Sequence, residues 1–319
     1  QFAVDLSDYI ALGDWRLFFV DRDSTARVTP QAVDQAAATY FVRDNRVVGL
    51  FIPDEHPRRA PVMTTPDVKD VITKATFKTE GDVAEAFDVS QANIDARTER
   101  FKIGDVEVAL LPKKTRGRTV TVLTTFRYGN LETTAGRTVL NYLVEPMLSR
   151  GTADMDRKQI ADRQTELKVQ GDVLGFTTTA ENVVPAIELM GKLVSSSTFP
   201  KKEFDQFVNQ LSTMLESRSD DPIMLGRDAL LKHFETYPEG DPRNPTRNSY
   251  LREGLKTVTR DAVYDWFEKA VSNTHGQVAV VGDFDPAAVK AALEKAVAVK
   301  KNADAKYGVQ ARGGRPHPR

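Results

Sequence analysis

The sequence contains no cysteine. This absence excludes a disulfide framework, a thiol nucleophile and every metal site that depends on cysteine ligands. The sequence also has no run of about 20 apolar residues, the length that a membrane-spanning helix needs. We therefore predict a chain without a membrane span and without thiol chemistry.

The beginning of the chain, Gln1-Phe2-Ala3-Val4-Asp5, lacks both an initiator methionine and the features of a signal peptide. A signal peptide would place a basic region before an apolar one. We expect a mature or truncated piece of a longer protein.

The chain has almost no net charge, because 44 lysines and arginines face 45 aspartates and glutamates. No global electrostatic field would therefore recruit nucleic acid or anionic lipid, and we predict no nucleic-acid partner. Hydrophobic residues make up 40% and charged residues 28%, as in soluble globular proteins. A length of 319 residues exceeds the roughly 100–200 typical of one domain. The sequence thus predicts one large domain with additional material, or two domains.

Strand and helix patterns occupy most of the chain after residue 98. A β-hairpin is predicted around Gly104-Asp105, a third strand at 119–127 would complete a meander, and a second hairpin would span 168–180. A last strand at 277–282 leads into a helix that ends near Val297. The other predicted helices cover 134–148, 155–167, 183–195, 201–218, 222–235 and 261–271.

One internal repeat connects the two ends of the chain. Val28-Thr29-Pro30-Gln31-Ala32-Val33, followed by a helix and the run 46–52, reappears as Val258-Thr259-Arg260-Asp261-Ala262-Val263, followed by a helix and the strand 277–282. The offset of about 230 residues is too long for a solenoid and indicates a duplicated α/β domain of about 200 residues. We expect Val47 and Val48 in a buried strand, equivalent to Val280 and Val281.

Three groups of polar residues have ordinary structural interpretations. The basic run 112–118 is interpreted as a solvated loop, with peptide or anion contact as the alternative. Asp283 and Asp285 could suggest a metal or ribose site, but a strand-to-helix turn with Asp285 as N-cap is favoured. The histidines share no spacing typical of metal ligands and are interpreted as ordinary: His56, His233, His275 and His317.

Several segments together resemble the start of the C-terminal half of bacterial insulinase-like (pitrilysin-type) zinc metallopeptidases. Two of them are Arg127-Tyr128-Gly129-Asn130 and Tyr237-Pro238-Glu239-Gly240-Asp241-Pro242-Arg243, and the others are 92–98, 108–117, 147–152 and 280–285. The resemblance implies an α+β fold in which an antiparallel-rich sheet is backed by helices, within a duplicated-domain architecture. It also implies that two halves close around a peptide-digesting chamber.

The catalytic motif of that family is His-x-x-Glu-His on a helix, where two imidazoles bind zinc and the glutamate activates the metal-bound water. The matching segment here is Tyr142-Leu143-Val144-Glu145-Pro146, which keeps only the glutamate. The third ligand should fall near Thr213-Met214, and Glu216 is close but out of place. We therefore predict no catalytic residue, no cofactor site and no metal site in this chain, with Glu145 interpreted as a leftover carboxylate.

The resemblance leads to a functional hypothesis. The chain would be the noncatalytic half of a zinc-dependent endopeptidase that degrades peptides or unfolded polypeptides, and it would help to enclose the chamber and contact substrate. Zinc would be held by the catalytic half of the same polypeptide or by a partner subunit. The alternative is a catalytically dead homologue that serves as a structural or peptide-binding partner. The resemblance also implies a bacterial periplasmic or envelope location.

The same resemblance assigns limits to four parts of the chain. Residues 1–53 would form the C-terminal end of a preceding, second domain, and residues 54–95 an extended linker between halves. Residues 96–298 would form the third, inactive peptidase-like domain. Residues 299–319 would be a tail or the start of the next domain.

Overall fold

The chain was analysed as a computed structural model, which describes residues 2–25, 27–50, 67–75, 84–127, 129–270 and 275–298. Two compact units are present, Gln1–Gly81 and Asp82–Arg319. Among the described helices, none combines the length and the apolar composition needed to cross a membrane.

The first unit is helical in its described part. Its α-helices are α1 (Phe2–Ala11), α2 (Leu17–Thr25), α3 (Pro30–Tyr40) and α4 (Lys69–Lys74). Thr29 is the N-cap of α3, because its side chain accepts a hydrogen bond from the backbone N–H of Ala32 at 3.2 Å. Helices α1 and α2 were not predicted, and Phe18 on α2 packs edge to face against Phe2 and Tyr9 on α1.

The strand predicted at 46–52 is wrong over its described residues. Residues 46–50 have no regular secondary structure, and Val47 is 95% exposed and Val48 71% exposed. The rest of the predicted strand lies outside the described residues. A strand must pair its backbone groups with another strand, and the regular elements described in this unit are helices.

The second unit contains a six-stranded sheet and a layer of helices. The strands are β1 (Glu99–Ile103), β2 (Asp105–Pro112), β3 (Thr119–Phe126), β4 (Gln170–Gly171), β5 (Gly175–Thr179) and β6 (His275–Gly282). The helices are α5 (Gln91–Arg97), α6 (Leu131–Thr134), α7 (Thr138–Leu148), α8 (Arg157–Glu166), α9 (Val183–Ser196), α10 (Lys201–Ser217), α11 (Pro222–His233), α12 (Asn248–Leu255), α13 (Arg260–Ala270) and α14 (Pro286–Ala298).

The strand order is β1-β2-β6-β3-β5-β4. Both predicted hairpins are confirmed, but β3 does not complete a meander with β1 and β2, because β6 lies between β2 and β3. The last strand pairs parallel with β2 and antiparallel with β3. Its alternating buried valines, Val278 and Val280, fill this central position. Since only the pairing of β2 with β6 is parallel, the predicted antiparallel-rich sheet is confirmed.

One face of the sheet carries the core. Val108 on β2 and Val280 on β6 are buried on this face, whereas Val281 points to the other face and is half-buried. Helix α14 contacts β1 and β2, and α9 contacts β5. The predicted α+β architecture, a sheet backed by helices, is therefore confirmed.

One helix begins later than the sequence predicts. The helix predicted at 134–148 starts at Thr138 as α7, and Gly136, with a φ of +70°, separates it from the short helix α6. A positive φ of this kind is available to glycine at little cost and is incompatible with a continuing helix. The sequence prediction also missed α5 and α12.

The predicted linker, 54–95, lies partly outside the described residues. Its described parts include α4 and the beginning of α5, and the carboxylate of Glu85 accepts a hydrogen bond from the backbone N–H of Lys114 at 3.1 Å. The compact units divide after Gly81. The domain limits drawn from the sequence stay a prediction.

Candidate functional site

The three residues of the altered motif lie on α7. Residues three positions apart share one side of a helix, so Tyr142 and Glu145 project in the same direction. Tyr142 is 44% exposed, and Glu145 is exposed as well. The other side of α7 is anchored in the core by Val139, Leu143, Val144, Met147 and Leu148. The helix continues through Pro146 despite the hydrogen bond that proline removes.

A cleft of about 450 Å³ opens beside α7. It is lined by Tyr142, Glu145 and Pro146 and, across the opening, by Asp172 from the β4–β5 turn, and we call it the glutamate cleft. The side chain of Glu145 as a whole is exposed, but the walls of the cleft partly desolvate its carboxylate and thereby raise its pKa, and the neighbouring carboxylate of Asp172 raises it further. Among the described residues, neither carboxylate forms an ion pair.

A second cleft, of about 240 Å³, lies on the other side of Tyr142. We call it the arginine cleft, and its lining includes Met214 and Arg218 from the region of α10, Arg227 and Asp228 from α11, and Arg252 from α12. Tyr142 lines both clefts.

The positions that the sequence matched to zinc ligands are divided between the two clefts, which share Tyr142. Tyr142 and Met214 line the same cleft, and Pro146 lies one turn along α7 from Tyr142. Thr213 and Glu216 are exposed and do not line either cleft. Of the two residues considered for the third position, Met214 is the one that faces Tyr142 across the cleft.

These side chains do not fit a catalytic zinc ion. Such a site takes imidazole, thiolate or carboxylate ligands, whereas Tyr142 offers a phenol, Pro146 no donor atom and Met214 a weakly coordinating thioether. Glu145 and Asp172 are the carboxylates of the neighbouring cleft, and two oxygen ligands are fewer than zinc requires. No group of three metal-ligating side chains occurs among the described residues.

The remaining polar residues near α7 hold the helices in position. The indole N–H of Trp266 on α13 donates a hydrogen bond to the side-chain oxygen of Asn141. The guanidinium of Arg150 lies 4.3 Å above the ring of Phe207 and 3.7 Å from the carboxylate of Glu203. These contacts tie α7 to α13 and α10.

The loop 237–243, one of the segments that carry the resemblance, is closed by its own residues. The side chain of Asn244 donates to the carbonyl oxygen of Tyr237 at 2.9 Å and accepts from the Tyr237 backbone N–H at 3.2 Å. Arg243 binds Asp241 at 2.7 Å and stacks over the Tyr237 ring at 3.6 Å. These contacts of Tyr237, Asp241 and Arg243 stabilise the conformation of the loop.

The basic run 112–118 connects β2 and β3, as predicted. Lys114 lies 3.0 Å and Arg118 3.6 Å from the carboxylate of Asp283. Asp285 accepts a hydrogen bond from the Ala287 backbone N–H at 3.0 Å, which confirms the predicted cap at the start of α14. Asp283 in the turn therefore offsets part of the positive charge of the loop.

The histidines that the structure describes lie apart from both clefts. His233 is the last residue of α11 and packs against Phe234, and His275 is the first residue of β6. His56 and His317 lie outside the described residues.

Comparison with solved structures identifies the fold. A protease from Helicobacter pylori matches with a TM-score of 0.53 and 15% identity, over 64% of this chain and 51% of that chain. An inactive domain of peptidase M16 from Pseudomonas fluorescens matches with a TM-score of 0.51 and 17% identity, over 67% and 53% of the two chains. The chain has the fold of M16 peptidase domains. The first half of the periplasmic protease PqqL from Escherichia coli is similar to the same extent, with a TM-score of 0.51, 15% identity, and 67% and 48% coverage.

The M16 fold is that of the insulinase-like peptidases, so the fold expected from the resemblance is confirmed. No family model matches the sequence, and no curated protein matches it. The chain spans about half the length of the structures that it matches.

Sequence reasoning missed the arginine cleft. Arg218 and Arg227 stand near Asp220, Asp221 and Asp228 in the sequence, so that the local charge is balanced. Arg252 lies on α12, which was not predicted. The arginines face one cleft only after α10, α11 and α12 have packed, and a periodicity argument on each helix separately does not reveal this.

Proposed function

We propose that this chain is the noncatalytic half of an insulinase-like zinc endopeptidase that degrades peptides or unfolded polypeptides. In this role it helps to enclose the digestion chamber and contacts the substrate, and this segment is itself inactive. The catalytic half of the same polypeptide, or a partner subunit, supplies the zinc. The observation that carries the proposal is an M16 fold with clefts lined by Tyr142, Pro146 and Met214. The resemblance matches Tyr142 and Pro146, and Thr213 or Met214, to the family's ligand positions.

The clefts support a role in contact with extended polypeptide. They lie on the two sides of Tyr142, whose ring is partly exposed and combines an apolar body with a polar hydroxyl. Concave surfaces with apolar walls and a few polar groups are typical of binding sites. A domain that has exchanged metal ligands for such a surface can hold a peptide without cleaving it.

Location in the bacterial periplasm or envelope belongs to the same proposal. Its support is that one structural neighbour is half of a protease described as periplasmic. The alternative, a catalytically dead homologue acting as a structural or peptide-binding subunit, differs in one respect that is simple to determine. It requires that no His-x-x-Glu-His motif occurs elsewhere in the full polypeptide.

Photo-crosslinking tests the proposed substrate contact. A photoreactive phenylalanine derivative is placed at position 142 in one sample and, as a control, at position 89, where Val89 is 80% exposed and lines neither cleft. An unstructured peptide should be crosslinked from position 142 and not from position 89. Equal crosslinking from both positions, or none from 142, would contradict peptide contact at the altered motif.

A further inference from the structure

The arginine cleft has an unusual balance of charge. Arg218, Arg227 and Arg252 line it together with a single carboxylate, that of Asp228. None of these three arginines forms an ion pair with another side chain in the part of the chain that the structure describes. Arg218 and Arg227 are exposed and Arg252 is half-buried, and three like charges that line one concave surface repel one another.

The carboxylate of Asp228 is already used in the fold. It accepts hydrogen bonds from the backbone N–H groups of Asn248 at 3.0 Å and Ser249 at 2.7 Å, at the start of α12. These hydrogen bonds oppose the effect of burial and lower the pKa of Asp228, so the group is ionised and engaged at neutral pH. Its partners are backbone groups of α12, and the positive charge of the cleft therefore exceeds the negative.

Neighbouring arginines behave differently. Arg243 binds Asp241 at 2.7 Å, and Arg247 binds Glu235. The same region of the chain thus pairs its structural arginines with carboxylates. Among the described residues, the arginines that line the cleft form no ion pair within 4 Å, although the charge of Arg252 also acts on the neighbouring Glu253. An anion from outside the chain would complete the pairing.

The walls of the cleft indicate what kind of anion fits. Met214, Met224 and Leu225 line it beside the arginines, and Leu225 is 54% exposed. Methionine side chains adapt to apolar partners of different shapes. The volume of about 240 Å³ is below the roughly 300–1,000 Å³ of a typical small-molecule site. The cleft is therefore suited to one part of a longer chain rather than to a whole small molecule.

We propose that the arginine cleft binds a carboxylate of an acidic peptide, with an aliphatic residue next to that carboxylate packed on the methionines. Guanidinium groups bind carboxylates through paired, charge-assisted hydrogen bonds, which supplies the specificity. A peptide is favoured over nucleic acid, because methionine and leucine side chains lie beside the arginines and the near-neutral chain provides no field for a polyanion. This inference rests on the proposed function, and it adds the chemical class of the bound segment.

Peptide binding to the full chain, 1–319, tests the inference. The probe is a fluorescently labelled, unstructured peptide of Glu, Leu, Gly and Ser, compared with the same peptide in which Gln replaces Glu. Both have an amidated C-terminus, and a third version of the neutral peptide carries a free C-terminal carboxylate. Fluorescence anisotropy should give at least about tenfold tighter binding of the acidic peptide, because its carboxylates accept charge-assisted hydrogen bonds that the amides of the neutral peptide do not. Tighter binding of the third version than of the amidated neutral one would assign the C-terminal carboxylate as a further ligand.

Single variants connect the binding to the cleft. Arg218→Gln, Arg227→Gln and Arg252→Gln should each weaken binding of the acidic peptide by about threefold to tenfold, as expected for partly exposed charge pairs. Arg116→Gln is the matched control, because Arg116 is exposed and lies on the loop between β2 and β3. Its effect should stay below about twofold. Unchanged thermal unfolding would show that the variants are folded.

The possible outcomes separate this inference from the proposed function. Equal binding of the acidic and neutral peptides, unaffected by the arginine variants, would overturn carboxylate binding in the arginine cleft. It would leave the proposed contact with peptide intact. Absence of binding by every peptide would contradict both proposals. Tighter binding of a single-stranded oligonucleotide of equal charge, weakened by Arg218→Gln, would overturn the assignment to a peptide carboxylate.

Discussion

The α carbon of Ala296 lies 2.7 Å from the position that a β carbon on Gly191 would occupy. Gly191 is on α9 and Ala296 on α14, and the β carbon of Ala296 is equally close, so the two helices touch at this point with no room for a side chain on residue 191. The glycine is therefore needed for the close approach of the helices that cover the sheet.

Gly191→Ala is expected to destabilise the protein, although alanine is the better helix former. The added methyl group meets backbone atoms, and overpacking of this kind costs about 1–3 kcal/mol. Gly226→Ala is the matched control, because Gly226 is also helical, on α11, and a β carbon there would have no neighbour within 4 Å. That variant should raise the free energy of unfolding by about 0.4–1 kcal/mol. Urea unfolding measures the free energy of unfolding of both variants. If Gly191→Ala raised it as Gly226→Ala does, the close contact of α9 with α14 would be contradicted.

Truncation of valines tests the central position of β6. Val280 is completely buried, and Val280→Ala should cost about 1–3 kcal/mol of unfolding free energy. Val281→Ala should cost less, because Val281 is half-buried on the other face of the sheet. Val89→Ala removes the same two methyl groups from an exposed side chain and should stay within about 0.5 kcal/mol. A loss for Val280→Ala no larger than that for Val89→Ala in urea unfolding would rule out the core position.

The sequence predicted the placement of Val280 and Val281, which is confirmed, and also that of Val47 and Val48, which is wrong. Both predictions came from the same repeat, and the first part of the repeat is preserved in both copies. Thr29 and Thr259 each accept a hydrogen bond at 3.2 Å from the backbone N–H of the third residue on. A helix cap depends on residues within one turn, so a local pattern is sufficient to predict it. A strand requires a partner elsewhere in the chain, which the local pattern does not contain.

Positions on a single helix were predicted better than surfaces shared by several helices. Tyr142, Glu145 and Pro146 were identified because segment 142–146 matches the position of the His-x-x-Glu-His motif in the family that the sequence resembles. Asp172 was not associated with Glu145, because it comes from a turn between two short strands that must first pair. The insertion of β6 between β2 and β3 was missed for the same reason, since it depends on a contact across about 170 residues.

The pKa of Glu145 predicts a pH dependence of stability. Burial raises this pKa in the folded state, and Asp172 raises it further. The folded protein therefore binds the carboxyl proton of Glu145 more tightly than the unfolded chain does. Between the ordinary glutamate pKa of about 4.3 and the raised pKa of the folded state, the free energy of unfolding falls as the pH rises. Glu145→Gln removes this loss, so the variant should gain stability relative to the wild type between about pH 4 and about pH 7.

The control variant, Glu253→Gln, should change in stability with pH in the opposite direction. Hydrogen bonds from Lys256 lower the pKa of Glu253, so its contribution to stability is lost as the pH falls through the folded pKa. Glu253→Gln should therefore lose stability relative to the wild type on going from about pH 4 to about pH 7. Urea unfolding at the two pH values measures both variants. If the difference in unfolding free energy between Glu145→Gln and the wild type were the same at both pH values, the raised pKa of Glu145 would be contradicted.

Limited proteolysis tests the domain limits proposed from the sequence. We expect the first cleavage between residues 54 and 93, because the prolines and weak periodicity of that segment leave little apolar surface to bury. N-terminal sequencing of the earliest fragments locates the cut. A first cut between residues 97 and 297 would show that the boundary is misplaced.

The inactivity proposed for this segment can be measured on residues 1–319 in one experiment. The protein is dialysed against zinc and then against buffer, analysed for bound metal, and incubated with an unstructured peptide that is followed by mass spectrometry. Since Tyr142, Pro146 and Met214 do not provide zinc ligands, we predict no stoichiometric zinc and an intact peptide. Stoichiometric zinc together with cleavage of the peptide, both lost in Glu145→Gln, would contradict the noncatalytic assignment.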